Sequence, residues 1–396
     1  MRNTKLIAAS SLTMLIVALT SAIIGPLLVP MSESFKLDLS QAGSLVSFRF
    51  LGFFLSSVLI GLFWQRNRAG LFLVGSSFLL SIALLTIGFW PVLPVVCVLL
   101  FAVGLSGGLV HTGVDSLLSE IYPEVRTKVL NLVHIFFGVG AFLGPIMVGT
   151  VLWFFGWWNL VYYLVGMGAL VLFFLFLTQN LKETQGTFGQ TQTGARTNLT
   201  YLTKSVPFWL LTIGMFFYVG GEVSLSSWVP MFMAKVRNTS TVVAGYTNSV
   251  FWIALLVGRL LFIYLSGKIS TSRLLALAAL CATVFAIGVF SIASHILIIA
   301  FLACTGFFAS GIYPTVLALG GHTFPDRIGM ITAILTAAGS LGGICFPWLV
   351  GFGSEYLDLG RGIFMIPVLM GFAAAAFVYF EGRLIKKEAI KILPVR

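Results

Sequence analysis

Residues 95–119 read VVCVLLFAVGLSGGLVHTGVDSLLS. This run of 25 residues holds only two ionisable side chains, His111 and Asp115, both toward its end. A helix needs roughly 20 mostly apolar residues to cross the hydrocarbon core of a bilayer. The run is too long for a barrel strand and does not alternate polar with apolar, so it reads as a membrane-spanning helix. Runs of the same kind lie on both sides of it. Together they place spans at 6–30, 41–64, 70–90, 95–119, 129–153, 159–178, 207–230, 243–266, 272–291, 296–320, 328–352 and 362–382.

Composition agrees. Of 396 residues, 59% are hydrophobic and 9% are charged. No soluble domain hides that much apolar surface behind so few charges. Twelve spans with short loops use almost the whole chain. The first run, Leu6 to Pro30, is too long for a signal-peptide core and is taken as the first span. The net charge of +11 would suggest nucleic acid in a soluble protein. Here Lys and Arg sit at span ends, with no basic patch interleaved with aromatics, which excludes a nucleic-acid partner. Cys97, Cys281, Cys304 and Cys345 stand alone without CxxC spacing, so neither a metal site nor a disulfide framework is expected. HExxH and GxxxxGK[ST] are both absent, which argues against an enzyme and against any cofactor. Uphill movement of a solute would then draw on an ion gradient, and a proton crossing 100 mV releases about 2.3 kcal/mol.

With a cytoplasmic N-terminus, 17 basic residues fall on inner segments and four on outer loops: Lys36, Lys235, Arg237 and Arg361. The positive-inside rule therefore expects both termini in the cytoplasm. The stretch 179–206 is rich in Thr, Gln and Gly and reads as a cytoplasmic linker. The segments it separates repeat. At an offset of 202 residues, Gly104 matches Gly306, Tyr122-Pro123 matches Phe324-Pro325, Pro145 matches Pro347, Gly149 matches Gly351, and Ala42-Gly43 matches Ala244-Gly245. At an offset of 200, Val29-Pro30-Met31 matches Val229-Pro230-Met231. The expected fold is an all-α integral membrane protein of twelve transmembrane helices in two pseudo-symmetric six-helix bundles, 1–178 and 207–396. In such repeats one half rocks against the other around a central site.

These residues resemble the major facilitator superfamily over the full chain. Gly61 to Arg68 (GLFWQRNR) looks like the superfamily's Gly-x-x-x-Asp-Arg loop, with Gln65 where Asp is usual. Four stretches are similar to the fucose permease branch, which holds proton-coupled sugar permeases. They are HTGVDSLLSEIYP at 111–123 with LNLVHIFFGVGAFLGP at 130–145, GGEVSLSSWVPM at 220–231, residues 244–259 with AGY and a terminal GR, and YPTVLALG at 313–320. The sequence departs from the branch in three ways. Its first span has no acidic residue, His111 stands where the branch has Glu, and Asp115 stands where it has Asn. The resemblance implies a secondary active transporter that moves a small polar solute, a sugar, by alternating access with proton symport. Sodium is the second choice of ion. An exporter of drugs or metabolites on the same fold is the rival reading, and a membrane sensor or receptor is the non-transporter one. The expected setting is a monomer in the inner or plasma membrane.

Each ionisable group inside a span costs about 2.5–3.5 kcal/mol at the helix centre, so each needs a reason. His111 and Asp115 are one turn apart on one face and could bind a solute hydroxyl and accept a proton. Glu222, beside Gly220 and Gly221, is the other proton-coupling candidate, on a helix that those glycines could kink. Asn131, Asn248, Trp228, Trp252 and Tyr313 complete the solute-binding candidates, the aromatics as platforms for a sugar ring. His134 ranks lower. Arg49 and Arg259 are expected at gates or in ion pairs. Equal depth would allow Arg49 to meet Glu222. In an outward-facing state Asp115 could pair with Arg259. Trp153, Trp157 and Trp158 read as an interfacial belt.

Overall fold

The computed structural model describes residues 4–63, 69–89, 92–122, 124–179, 200–265 and 268–392. Most of the GLFWQRNR loop (64–68) and of the expected linker (180–199) lies outside the described residues. All regular elements among the described residues are helices. α1 (Thr4–Ala22) and α2 (Ile24–Phe35) are followed by α3 (Leu39–Phe63), α4 (Ala69–Phe89), α5 (Leu93–Ile121), α6 (Arg126–Phe155) and α7 (Asn159–Leu177). A one-turn α8 (Thr200–Thr203) precedes α9 (Val206–Lys235) and α10 (Thr241–Leu265). Then come α11 (Thr271–Ser291), α12 (His295–Ala309), α13 (Ile312–Thr323), α14 (Ile328–Leu357), α15 (Leu359–Gly362) and α16 (Met365–Ile392). Among the described residues, twelve helices are long and apolar enough to cross a membrane.

Two spans expected as single helices are jointed. The first breaks at Ile23, just before Gly25 and Pro26. Pro26 has no N–H for the Ala22 carbonyl, and Gly25 lets α2 cross the Ser226 carbonyl of α9 without a side chain between them. The tenth span breaks at Ser310–Gly311, before Pro314, where a Cβ on Gly311 would run into the Phe262 ring. In the seventh span, where the glycines permit a kink or a local opening, α9 is continuous through Gly220 and Gly221. These glycines instead let α9 press against Phe346 and Gly342 of α14 and Met370 of α16. α6 stops at Gly156, whose φ of 68° lies in the left-handed region that glycine tolerates. Of the expected tryptophan belt, Trp153 and Trp157 are exposed, but Trp158 is buried and donates to Ser34 Oγ at 3.0 Å.

The repeat reappears as contacts. A Cβ on Gly104 would collide with the Arg49 carbonyl oxygen, and one on Gly306 with the Phe251 carbonyl oxygen, each partner again 202 positions on. Gly43 faces the Pro347 carbonyl, and its repeat mate Gly245 faces the Pro145 carbonyl at 3.4 Å. The last two contacts are reciprocal and join the helices before the linker to those after it. α3 packs on α14 and α6 on α10, while α2 lies on α9. These seams run from the middle of the spans to one end, with Leu39 against Gly351, Phe50 against Gly343, Tyr246 against Gly149 and Leu256 against Gly138. At that end Lys235 pairs with Glu33, and the Ser40 N–H donates to Glu355 Oε1 at 2.7 Å. Toward the other end, α5 and α13 pack within their own groups. The two groups are thus shut together at the α2/α9 end, and the cleft between them widens toward the other.

Candidate functional site

Two polar clusters flank the middle of this cleft, one on each group of helices. On the first, α5 places His111 and Asp115 one turn apart, and α6 brings His134 beside them. Asp115 lies 3.1 and 3.3 Å from His134 Nε2 by its two carboxylate oxygens. His111 Nδ1 is 3.9 Å from Asp115 Oδ2. The two imidazoles meet edge to face with centroids 5.5 Å apart. Phe53 and Phe137 wall the His111 ring at 6.5 and 6.0 Å. His134, ranked low from sequence, is therefore the direct partner of Asp115. Asn131, one turn earlier on α6, is exposed.

On the second group, Glu222 of α9 is partly buried and interacts electrostatically with Arg259 of α10 and with Tyr218 one turn earlier. The Tyr218 hydroxyl donates to the Ala309 carbonyl at 2.8 Å, just before the α12–α13 joint. Tyr313, just past that joint, also neighbours Glu222 electrostatically, and its hydroxyl lies 3.3 Å from Thr336 Oγ1 of α14. Tyr218 and Thr336 were missed in the sequence. The spacing of Tyr218 to Glu222 was a usable signal, but nothing marked Thr336.

The expected partners of the arginines differ. Arg49 is 4% exposed and donates to Ser21 Oγ rather than reaching Glu222, and no carboxylate among the described residues pairs with it. Depth counted from span ends does not fix which side of each helix faces the other. Asp115 and Arg259 are also apart in this conformation, each held by its own cluster.

Trp252 of α10 stands where the two groups of helices meet. It and Phe137 pack against Ala18, Ala22 and Ala141, so the indole bridges both groups of helices. Its Nε1–H has no hydrogen-bond partner among the described residues. Asn248, one turn away, is fully buried; its Nδ2 donates to Ser226 Oγ at 3.4 Å and its Oδ1 has no partner among the described residues. Ser224 and Ser249 hydroxyls also have none. Trp228 is different: it is fully buried in the shut end and its N–H donates to the Pro347 carbonyl at 3.1 Å. It wedges the seam and is not available to stack on a solute in this conformation. A groove on α10 and α12, lined by Ile253, Ala254, Val257, Ala303, Cys304 and Phe307, is wholly apolar and does not suit a polar solute.

Buried donors and acceptors without partners cost about 1–3 kcal/mol each, so a site keeps them for something that arrives. An aromatic face with a free N–H and a nearby free amide oxygen can take a small molecule that has an apolar face and a polar rim.

The model of the Major Facilitator Superfamily matches residues 10–295. The glucose/mannose transporter GlcP of Bacillus subtilis is 24% identical over 354 residues, which cover 86% of each chain. Among solved structures, a bacterial homolog of the human lysosomal transporter Spinster aligns with a TM-score of 0.81 at 17% identity, covering 96% of this chain and 97% of that one. A D-xylose-proton symporter aligns with a TM-score of 0.73 at 16% identity, covering 95% and 97%. The structural likenesses establish the fold.

Proposed function

The chain belongs to the Major Facilitator Superfamily, and from that premise we propose that it is a monomeric secondary transporter that carries a sugar by alternating access, driven by proton symport. The observation that carries the sugar reading is Trp252. Its ring packs with Phe137 against Ala18, Ala22 and Ala141 where the two groups of helices meet, and its N–H, like the amide oxygen of Asn248 one turn away, is unengaged among the described residues. A pyranose offers an apolar face for the ring and hydroxyls for the donor and acceptor. The relationship to a glucose/mannose transporter supports the same class.

In this reading the bundles are 1–178 and 207–396, and 179–206 links them on the cytoplasmic side. Both termini are cytoplasmic in an inner or plasma membrane, so the shut α2/α9 end faces outward and the cleft opens inward. Glu222 carries the coupled proton. It is a partly buried carboxylate inside the bilayer span, beside a cation and close to the jointed α12–α13 span. Protonation weakens its hold on Arg259, which is how a proton can bias one conformation over the other.

Purified protein in liposomes tests both parts. Glu222→Gln mimics the protonated carboxyl, so counterflow exchange survives while proton-driven accumulation fails. Accumulation by Glu222→Gln would pass the role to Asp115. For the solute, a sugar at 100 times its dissociation constant stabilises the folded protein by about 2.7 kcal/mol. A thermal-shift series of sugar epimers in which none stabilises the protein rules out the sugar reading.

A further inference from the structure

We propose that His111, Asp115 and His134 form a binding site for one divalent transition-metal ion of the zinc class. The site goes beyond solute transport and does not depend on which solute or coupling ion the protein uses. One ligand atom from each residue can be chosen so that all three lie within 4.8 Å of one another. The closest pairs are Asp115 Oδ1 to His134 Nε2 at 3.1 Å and Asp115 Oδ2 to His111 Nδ1 at 3.9 Å. A zinc ion with bonds of about 2.0–2.1 Å in tetrahedral geometry sets its donors roughly 3.3 Å apart, so small rotamer changes suffice.

The donor chemistry selects the ion. Two imidazoles and one carboxylate suit zinc, copper, nickel and cobalt and are a poor set for magnesium or calcium, which want oxygen. The helices supply rigidity: His111 and Asp115 are fixed by one turn of α5, and His134 comes from the adjacent α6. The three side chains are 18%, 28% and 34% exposed, enclosed yet reachable by a hydrated ion from the open end of the cleft. Phe53 and Phe137 border the cluster, and their low polarity strengthens a charged bond formed next to them. Three protein ligands leave a fourth position for water. An ion held here occupies all three polar groups of the first cluster.

The test is direct titration of the tag-free full chain in nanodiscs with zinc chloride by calorimetry, with magnesium chloride as reference. The expected result is one zinc per chain and no magnesium heat. His134→Ala and Asp115→Asn each weaken zinc binding at least tenfold. The chain's remaining histidines supply the control, and His295→Ala with His322→Ala leaves binding unchanged. Zinc heat that persists in both His134→Ala and Asp115→Asn overturns the proposal, as does its absence in the wild type. Should either variant fail to fold, the visible spectrum of the wild type with cobalt chloride decides. An intense four- or five-coordinate band supports the site, and the weak spectrum of octahedral aqueous cobalt rejects it.

Discussion

A single methyl group at Gly43 tests how the shut end is held. A Cβ there falls on the Pro347 carbonyl oxygen, with the Pro347 carbonyl carbon and the Trp348 Cα both at 3.0 Å. All three are backbone atoms of α14, so no side-chain rotation relieves the collision. Overpacking of this kind costs about 1–3 kcal/mol. Gly43 and Pro347 lie on opposite sides of the seam, so the penalty falls on the conformation in which the seam is shut. Gly43→Ala therefore moves the balance toward the opposite conformation by roughly 5- to 150-fold. The repeat supplies the control. In Gly245→Ala the new methyl meets the Pro145 oxygen at 3.4 Å, an ordinary contact, and the balance shifts by no more than about twofold. Gly104→Ala collides with the Arg49 carbonyl inside one group of helices, so it lowers the melting temperature instead. The reporter is Ser227→Cys, a position 3% exposed between α2 and α9, in a background with Cys97, Cys281, Cys304 and Cys345 replaced by alanine. Its maleimide labelling rate in nanodiscs should rise with Gly43→Ala and hold with Gly245→Ala. An unchanged rate in folded Gly43→Ala refutes the assignment of this contact to the shut conformation alone.

Trp252→Phe keeps an aromatic ring and deletes the N–H, so sugar affinity falls by about 1 kcal/mol, roughly fivefold, in a binding titration, while melting without sugar does not fall, because the deleted donor was unpartnered. The Lys235–Glu33 pair is about half exposed on both sides, so Lys235→Ala changes the Ser227→Cys labelling rate by less than about fivefold. A cysteine at position 190 resists impermeant label applied outside intact cells, and rapid labelling there reverses the topology.

The spans and the repeat were legible because the bilayer imposes a length and a composition that no packing detail can override. The His111–Asp115 pair was legible for a similar reason, since helical spacing alone puts residues four apart on one face. Partners across helices were not. Depth along a span can be counted from its ends, but rotation about its axis cannot, so Arg49 was matched by depth to Glu222 while Arg259 is the cation beside it. His134 looked peripheral because nothing in its own helix marks it, and only the packing of α6 on its neighbours sets it against Asp115. Trp228 and Trp252 looked equivalent as ring platforms. Which one remains free depends on which helix face the shut seam covers, and that belongs to the conformation and not to the composition.

The two joints lie in different halves of the chain and toward opposite ends of the molecule. α2 is the 12-residue segment beyond the first joint, at the shut end; α13 is the 12-residue segment beyond the second, toward the open end. Each is about 18 Å long and is set off from the rest of its span by its own joint. Sealing one mouth therefore does not require unsealing the other in the same motion. With α2 in place, an inward swing of α13 would carry Tyr313 with it, against Glu222, and enclose the contents of the cleft before the halves move. The chain has the parts for a doubly sealed intermediate, in which cargo and proton are committed together while neither compartment has access to them.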